Sequence, residues 1–326
     1  MPLDGKVVLV TGGTGSFGNR FTEVVLKDYN LAALRILSRD ELKQQQMAQR
    51  FKDKRLRFLI GDVRDRDRLY RAMNGVDIVI HAAALKQVPA AEYNPIEAVK
   101  TNVNGAANVI DAAIDNGVKK VTFISTDKAV HPVNLYGATK LVAEKLFVHA
   151  NVYSGGRVSF SCVRYGNVVG SRGSVIPLFL QQRGTGTITI TDERMTRFWI
   201  TLDEGVRFVI NCIERMVGGE VFVPKIPSMR LLDIVQTVAP EAAMESIGIR
   251  AGEKLHEELI TREEAPRTKE FGDYYVVEPD HPYWKSGNHR EGKWVSQDFQ
   301  YCSDTNTQWL TPEVLTACIA NIEIEH

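Results

Sequence analysis

The chain has 326 residues, too many for one minimal domain, so one large domain or two intimate ones are expected. Its 40 basic and 40 acidic residues cancel to zero net charge, and no basic run carries interleaved aromatics, which argues against a nucleic-acid or anionic-membrane surface. No apolar window of about 18 residues exists, and the start Met-Pro-Leu-Asp-Gly-Lys lacks a signal-peptide core, so a soluble cytoplasmic protein is expected.

Lys6 to Val10 is a short apolar strand, followed at once by Thr11-Gly-Gly-Thr-Gly-Ser-Phe-Gly18 and a helix-like run through Leu26. The loop satisfies Gly-x-x-Gly-x-x-Gly at Gly12, Gly15 and Gly18, and Gly-x-Gly-x-x-Gly at Gly13, Gly15 and Gly18. Glycines let backbone approach a pyrophosphate, whose charge is held by amides at the helix N-terminus. A merely tight turn is the bland reading, and the strand before and helix after argue against it. Gly12, Thr14, Gly15, Ser16, Phe17 and Gly18 are therefore candidate cofactor contacts.

The second strand, Leu34 to Leu37, ends in Ser38-Arg39-Asp40-Glu41-Leu42-Lys43. An NAD site usually has an acid at this strand end for the ribose 2′-hydroxyl; here Ser38 and Arg39 come first, and arginine accommodates a 2′-phosphate. NADP is the expectation, with Arg39 as a solvated helix-start residue the alternative. A third strand, Leu56 to Ile60, leads to Asp62 and Val63, where the acid can cap a helix or reach an adenine amino group. Val76 to Ile80 is a buried strand ending in His81-Ala82-Ala83-Ala84-Leu85-Lys86; the small alanines permit close approach of a cofactor ribose, His81 reads as a packed residue, and Lys86 as a substrate-phosphate contact or a solvated lysine. Asn94-Pro95 starts a helix carrying Thr101 and Asn102, where asparagine either bonds strained backbone near a site or satisfies the core.

Val118 to Ile124 is the next apolar strand, and Ser125-Thr126-Asp127-Lys128-Ala-Val-His131-Pro-Val-Asn-Leu-Tyr136-Gly-Ala-Thr-Lys140 leaves its end before a helix-like segment, Leu141 to Ala150. In an open parallel sheet ligands bind at that end. Tyr136 and Lys140 are four apart and share a face if helical, where the ammonium can lower the tyrosine pKa. Thr126, Asp127 and Lys128 add more acid/base capacity than a simple alcohol oxidation needs. Tyr-x-x-x-Lys alone is common on solvated helices and an Asp-Lys pair is usually a surface ion pair; their place after a buried strand, in a chain with a nucleotide loop, favours catalysis.

Strands alternating with helices imply an α/β, doubly wound parallel sheet. Beyond the strand Val158 to Val163, the loop Arg164 to Pro177 is expected to cross into a smaller substrate lobe, with Asn167, Arg172 and Ser174 as candidate sugar and phosphate contacts. Gly186 to Thr191 reads as a strand, Trp199 to Met216 as a helix, Gly219 to Pro224 as a strand and Leu231 to Val238 as a helix; Tyr274, Tyr275, Tyr283 and Trp284 read as packing and Lys285 to Lys293 as a flexible loop. The expected division is 1–168 for cofactor, with returning segments near 197–224, and 169–196 with 225–326 for substrate. Cys162, Cys212, Cys302 and Cys318 are scattered without metal or redox spacing, so neither disulfide nor metal is expected.

With Thr-Gly-Gly-Thr-Gly-Ser-Phe-Gly, His-Ala-Ala-Ala and Tyr-x-x-x-Lys in register, the chain resembles extended short-chain dehydrogenase/reductases acting on nucleotide sugars. Ser38-Arg-Asp-Glu, Ser125-Thr-Asp-Lys-Ala, Tyr136-Gly-Ala-Thr-Lys, Arg164-Tyr-Gly-Asn-Val-Val-Gly-Ser-Arg-Gly-Ser-Val, Val223-Pro-Lys-Ile-Pro-Ser-Met and Ser303-Asp-Thr-Asn look like the inverting UDP-N-acetylglucosamine 4,6-dehydratases of pseudaminic-acid biosynthesis. Retaining relatives carry Asp-Glu where this chain has Asp127-Lys128, and long membrane-bound ones commonly carry methionine at Tyr136. His131, often asparagine, and Pro266, often arginine, are mild departures.

The resemblance implies a Rossmann-type sheet with a smaller C-terminal lobe, NADP, a dimer or hexamer, and catalysis by Thr126, Asp127, Lys128, Tyr136 and Lys140. It implies cofactor contacts from Ser38, Arg39, Asp40, Glu41, Lys43, Asp62, Val63, Ala82, Ala83, Lys86, Thr101, Asn102, Tyr136, Lys140 and Val168. For the substrate it implies Lys86, Asn167, Arg172, Gly173, Ser174, Val175, Thr189, Arg250 and Glu253. Tyr136, kept anionic by Lys140, would take the C4 hydroxyl proton while the C4 hydride passes to NADP+, a neutral Lys128 would remove H5, and Asp127 would protonate the departing C6 hydroxyl. A nucleotide-sugar 4-epimerase needs Tyr136 and Lys140 but not Asp127 and Lys128; a non-catalytic NADP sensor typically lacks an intact Tyr-x-x-x-Lys.

Overall fold

The computed structural model describes residues 1–171, 174–280 and 289–320. Its main sheet has ten strands, in the spatial order Leu56–Ile60, Ala33–Ser38, Val7–Thr11, Ile78–His81, Lys120–Ile124, Ser159–Val163, Val221–Pro224, Tyr274–Val277, Thr268–Glu270 and Lys293–Trp294. The first seven run parallel. Their interior residues are almost continuously buried, as strands covered by helices on both faces must be. The chain works outward from Val7–Thr11 and then jumps back to Ile78–His81 on its other side. A crevice opens at the carboxyl ends where the order reverses.

Three local outcomes differ from the expectations above. Trp199 and Ile200 belong to a strand, Thr196–Ile200, and the helix begins at Leu202. The reason is a capping box: the Thr201 hydroxyl accepts from the Glu204 amide while the Glu204 carboxylate accepts from the Thr201 amide. The helix expected from Leu141 runs Leu135–Tyr153, because the Asn134 side chain accepts from the Gly137 amide and starts it earlier. The strands Thr268–Glu270, Tyr274–Val277 and Lys293–Trp294, in the stretch expected for the lobe, add antiparallel to the main sheet instead. Tyr274 and Tyr275 are packed there, with Tyr274 stacked on Phe271 at 4.6 Å; Tyr283, Trp284 and the first part of the expected loop lie outside the described residues.

A second apolar cluster, around Phe179, Ile188, Trp199, Ile234 and Leu315, builds the smaller lobe. It is framed by the helices Val175–Arg183 and Leu231–Val238 and by short strands, among them Thr187–Ile190 paired with Ala243–Ser246. Among the described residues no helix is long and apolar enough to cross a membrane.

One buried ion network ties the parts together. Arg164, at the end of the Ser159–Val163 strand, pairs with Glu144 of the Leu135–Tyr153 helix at 2.7 Å and with Glu264 of the C-terminal segment at 2.9 Å. Its guanidinium also donates to the Leu259 carbonyl at 2.8 Å, and Ser125 donates to Glu144. Removing one partner of such a network strands the other charges in low dielectric, which costs about 3–5 kcal/mol. Arg164→Ala is accordingly expected to lower unfolding stability by about that amount, read as a lower urea midpoint; a change within the range of surface substitutions would contradict the network's role.

Candidate active site

The glycine loop and the first helix, Ser16–Asp28, meet at the crevice. A Cβ on Gly18 would stand 2.1 Å from the Gly13 carbonyl oxygen, so the loop folds back onto the helix only with glycine there. The hollow beyond it, about 210 Å³, is lined by Gly12, Thr14, Ser38, Arg39, Asp40, Lys43, Asp62, Val63, Ala83 and Thr101. Thr14 and Ser38 share a hydrogen bond at 2.7 Å. Arg39 lies 3.5 Å from Asp62, which also accepts from the Arg64 amide and guanidinium. Asp40 caps the next helix and pairs with Lys43 at 2.9 Å, and Glu41 stays on that helix's exposed face.

The Thr101 hydroxyl is buried against this hollow without a hydrogen-bond partner. Backbone amides at a helix start, a basic pair and an unpartnered hydroxyl fit a dinucleotide. Thr101 and Asn102 fall in a single π-helical turn, Lys100–Asn104. The Asn102 amide binds both the N–H and the carbonyl of Leu85, at 2.8 and 2.9 Å, and donates to Thr139 at 3.0 Å. It thereby fixes the Ala82-to-Lys86 segment against the Tyr136 helix. His81 is fully buried, bonded to Thr11 at 2.7 Å and stacked against Phe123 and Phe147.

The residues after the Lys120–Ile124 strand form one 3₁₀ turn, Asp127–Ala129, capped by Thr126. A Cβ on Gly137 would lie 2.0 Å from the Lys128 carbonyl oxygen, so the first turn of the Tyr136 helix rests directly on this backbone. Thr126 donates to Asp127 at 2.9 Å, and the Lys128 ammonium lies 3.0 Å from Asp127 Oδ1, 3.3 Å from Asn167 Oδ1 and 3.5 Å from Glu257 Oε1. Asp127 Oδ2 is buried without a partner.

These positions set the protonation states of the cofactor-free site. Burial alone would lower the Lys128 ammonium, but the Asp127 and Glu257 carboxylates outweigh it and hold it above its ordinary value, so Lys128 is charged in the cofactor-free protein. Burial, opposed by Lys128 and reinforced by Glu257, raises Asp127. Burial pushes the Tyr136 phenol up to about 12. Lys140 does not offset this: its ammonium donates to the Ile124 carbonyl at 2.5 Å and sits 4.0 Å over the Phe123 ring. Burial depresses it to about 7, with Glu144 and then Cys162 acting the other way. Burial, and then the Lys128 charge, lower Lys86.

The lobe closes over this turn through one stretch whose role the sequence reading passed over, apart from Arg250 and Glu253. The Gly252 carbonyl accepts from Asn134 at 2.7 Å, and Lys254 donates to the Val130 and Asp127 carbonyls at 2.7 and 3.3 Å. Glu257 faces Lys128, while Glu258 takes His131 Nδ1 at 2.7 Å. His131 has φ +41°, a left-handed conformation that asparagine and histidine tolerate better than most side chains. Arg250 lies in an exposed turn, and the Glu253 Oε2 is buried without a partner.

Asn167 and Val168 form a two-residue strand along Trp199–Ile200. Ser174, its hydroxyl unpartnered, caps the helix that Val175 begins, and Thr189 is bonded to Gln182 at 3.0 Å. Arg172 and Gly173 lie outside the described residues.

Lys140 is thus buried where its charge is costly. With a folded pKa near 7 against an ordinary 10.5, the penalty is complete below about pH 7 and vanishes above about 10.5. Lys140→Met should therefore stabilise the cofactor-free protein, and the gain should shrink by about 1.4 kcal/mol per pH unit between those limits. Urea unfolding at several pH values checks this; a pH-independent difference would contradict it.

The model of the polysaccharide biosynthesis protein family matches residues 8–279. The chain is 51% identical over 331 residues to a UDP-N-acetylglucosamine 4,6-dehydratase (inverting) of Campylobacter jejuni, covering 98% of this chain and 99% of the relative. It is 43% identical over 284 residues to a UDP-glucose 4-epimerase of Rickettsia prowazekii, covering 84% and 83%. Among solved structures, Pen from Bacillus thuringiensis is similar over the whole of both chains, with a TM-score of 0.91 and 39% identity. The nucleotide loop, the Tyr136–Lys140 helix and these similarities agree: the chain belongs to the polysaccharide biosynthesis protein family, within the extended short-chain dehydrogenase/reductases.

Proposed function

We propose that the protein dehydrates UDP-N-acetylglucosamine to a 4-keto-6-deoxy sugar with inversion at C5, using NADP. The observation that carries this reading is the Asp127–Lys128 pair, 3.0 Å apart, with the carboxylate fully buried, beside Tyr136. An epimerase has no task for it. The similarity to an inverting dehydratase along nearly the full length supports the substrate.

The glycine loop, Ser38, Arg39, Lys43, Asp62, Val63 and the Ala82–Ala83 segment would hold the dinucleotide, which when bound would supply a reversible hydride acceptor for C4 and donor for C6. Tyr136, whose own phenolic proton must first pass to solvent, takes the C4 hydroxyl proton, with the Thr126 hydroxyl bonding the same oxygen. Lys140, within reach of the Tyr136 helix face, supplies positive charge once it turns from Ile124 toward the bound ligands. The 4-ketone acidifies H5. Lys128 must shed its proton first, and Asp127, raised by burial, is the acceptor 3.0 Å away. That transfer leaves an amine base and a neutral acid side by side. The amine removes H5, Asp127 protonates the C6 hydroxyl, and water leaves. Lys86, Asn167, Ser174, Val175, Arg250 and Glu253, with Arg172 and Gly173, hold the UDP-sugar.

Incubation with UDP-N-acetylglucosamine should give a product lighter by one water, with a C6 methyl group by NMR. An isomer of unchanged mass would replace this reading with epimerisation. Arg39→Ala should weaken NADPH binding by about tenfold or more, equivalent to about 1.4 kcal/mol for the lost charge-assisted contact, and leave NADH binding nearly unchanged. Equal effects on both cofactors would argue against NADP selectivity.

A further inference from the structure

Glu257 is not among the residues the sequence singled out, yet it faces the proposed base. Its carboxylate is 3.5 Å from the Lys128 ammonium, and the residue is only 3% exposed. Arg197 at 3.8 Å and Lys254 at 3.2 Å flank it. Its Oε2 faces Lys254, and its Oε1 faces Lys128 and Arg197. The backbone is held independently of the carboxylate, since Ser303 accepts from the Glu257 amide through its hydroxyl at 2.9 Å and donates its own amide to the Glu257 carbonyl at 2.8 Å. A buried carboxylate whose backbone is secured elsewhere acts on its neighbours, and of the three cations it faces Lys128 is the one placed at the proposed reaction site.

We propose that Glu257 is a positioning residue that makes Lys128 a one-way proton acceptor and thereby fixes the configuration at C5. The inference rests on the dehydratase reading. Elimination breaks C5–H and C6–O, forms N–H on Lys128 and passes the Asp127 proton to the departing oxygen as water. Hydride returning to C6 then generates an enolate at C5. At that moment the Lys128 ammonium stands on the face from which H5 was taken, and giving that proton back would restore the original configuration.

Asp127, again a carboxylate, and Glu257 grip the ammonium from two sides, at 3.0 and 3.5 Å. An ammonium so held is a poor acid. C5 is instead protonated by a water-derived proton on the opposite face, which is the inverting outcome. Arg197 and Lys254 keep Glu257 ionised while this happens. Lys128 and Asp127 are then the ammonium and carboxylate they were at rest, and the proton taken up at C5 balances the one that Tyr136 gives to solvent.

The test is to run wild-type protein, Glu257→Gln and Glu257→Asp with UDP-N-acetylglucosamine in D₂O and to read C5 by NMR. Wild-type product should be inverted and deuterated at C5. In Glu257→Gln the partition should shift by about tenfold, the equivalent of one pKa unit on Lys128, so that part of the product has the substrate's configuration at C5, carrying a mixture of protium and deuterium because the lysine's other two hydrogens are deuterons. Glu257→Asp, which keeps the charge, should restore inverted, deuterated product.

Fully inverted and deuterated product from Glu257→Gln, at any rate of turnover, would overturn the assignment. So would a Glu257→Asp protein that behaves as Glu257→Gln, or the loss in both variants of the absorbance rise that marks C4 oxidation, which would make Glu257 a binding or folding residue. If wild-type protein releases no water, it is the dehydratase reading that fails.

Discussion

One ammonium sets the layout of this protein's chemistry. Lys128 lies between Asp127 on its own turn and Glu257 from the lobe, at 3.0 and 3.5 Å, and every charged neighbour is arranged around that placement. Arg197 and Lys254 balance Glu257, Asn167 takes a further hydrogen bond, and Lys86 is lowered partly by the Lys128 charge. A cation held this way is secure at rest and reacts as a base only by giving its proton to a neighbour. Asp127 is the neighbour whose burial favours the neutral form.

The fold exists in part to make that arrangement rigid. The strand end supplies Thr126 and Asp127, and the helix that begins at Leu135 lies so close that only glycine fits at position 137. Down the same helix face Tyr136, Lys140 and Glu144 follow one another at four-residue intervals. Glu144 leads into the Arg164–Glu264 network, so the Tyr136 helix, the sheet and the C-terminal segment share one buried set of charges. The lobe reaches back through Gly252, Lys254, Glu257 and Glu258 to hold the turn from the other side. Cofactor cleft and acid/base turn thus meet at the sheet edge where the strand order reverses.

Local chemistry made much of this legible in the sequence. The glycine loop between an apolar strand and a helix identifies the nucleotide cleft because only glycine permits the Gly13–Gly18 approach. The Thr126-Asp127-Lys128 run and Tyr136–Lys140 lie close together along the chain, so their co-location needed little tertiary information. Glu257, Lys254 and Arg197 were hidden because their partner lies far away along the chain, and an acid in Lys-Leu-His-Glu-Glu reads as an ordinary solvated charge. The resting charge of Lys128 was hidden for the same reason: one of the two carboxylates that outweigh its burial lies far along the chain. Lys140 faces Ile124 and Phe123 rather than Tyr136, a rotamer that sequence spacing does not specify. The strands between 268 and 277 joined the main sheet through antiparallel pairing that a short aromatic run gives no sign of.

The claim that Lys128 is the base of the elimination is open to one direct measurement. Lys128→Ala, mixed with UDP-N-acetylglucosamine deuterated at C4, should still oxidise the sugar, with the reduced cofactor appearing more slowly than from unlabelled substrate. It should release no water. Dehydration by Lys128→Ala at the wild-type rate, with the C4 deuterium delivered to the C6 methyl group, would contradict the account.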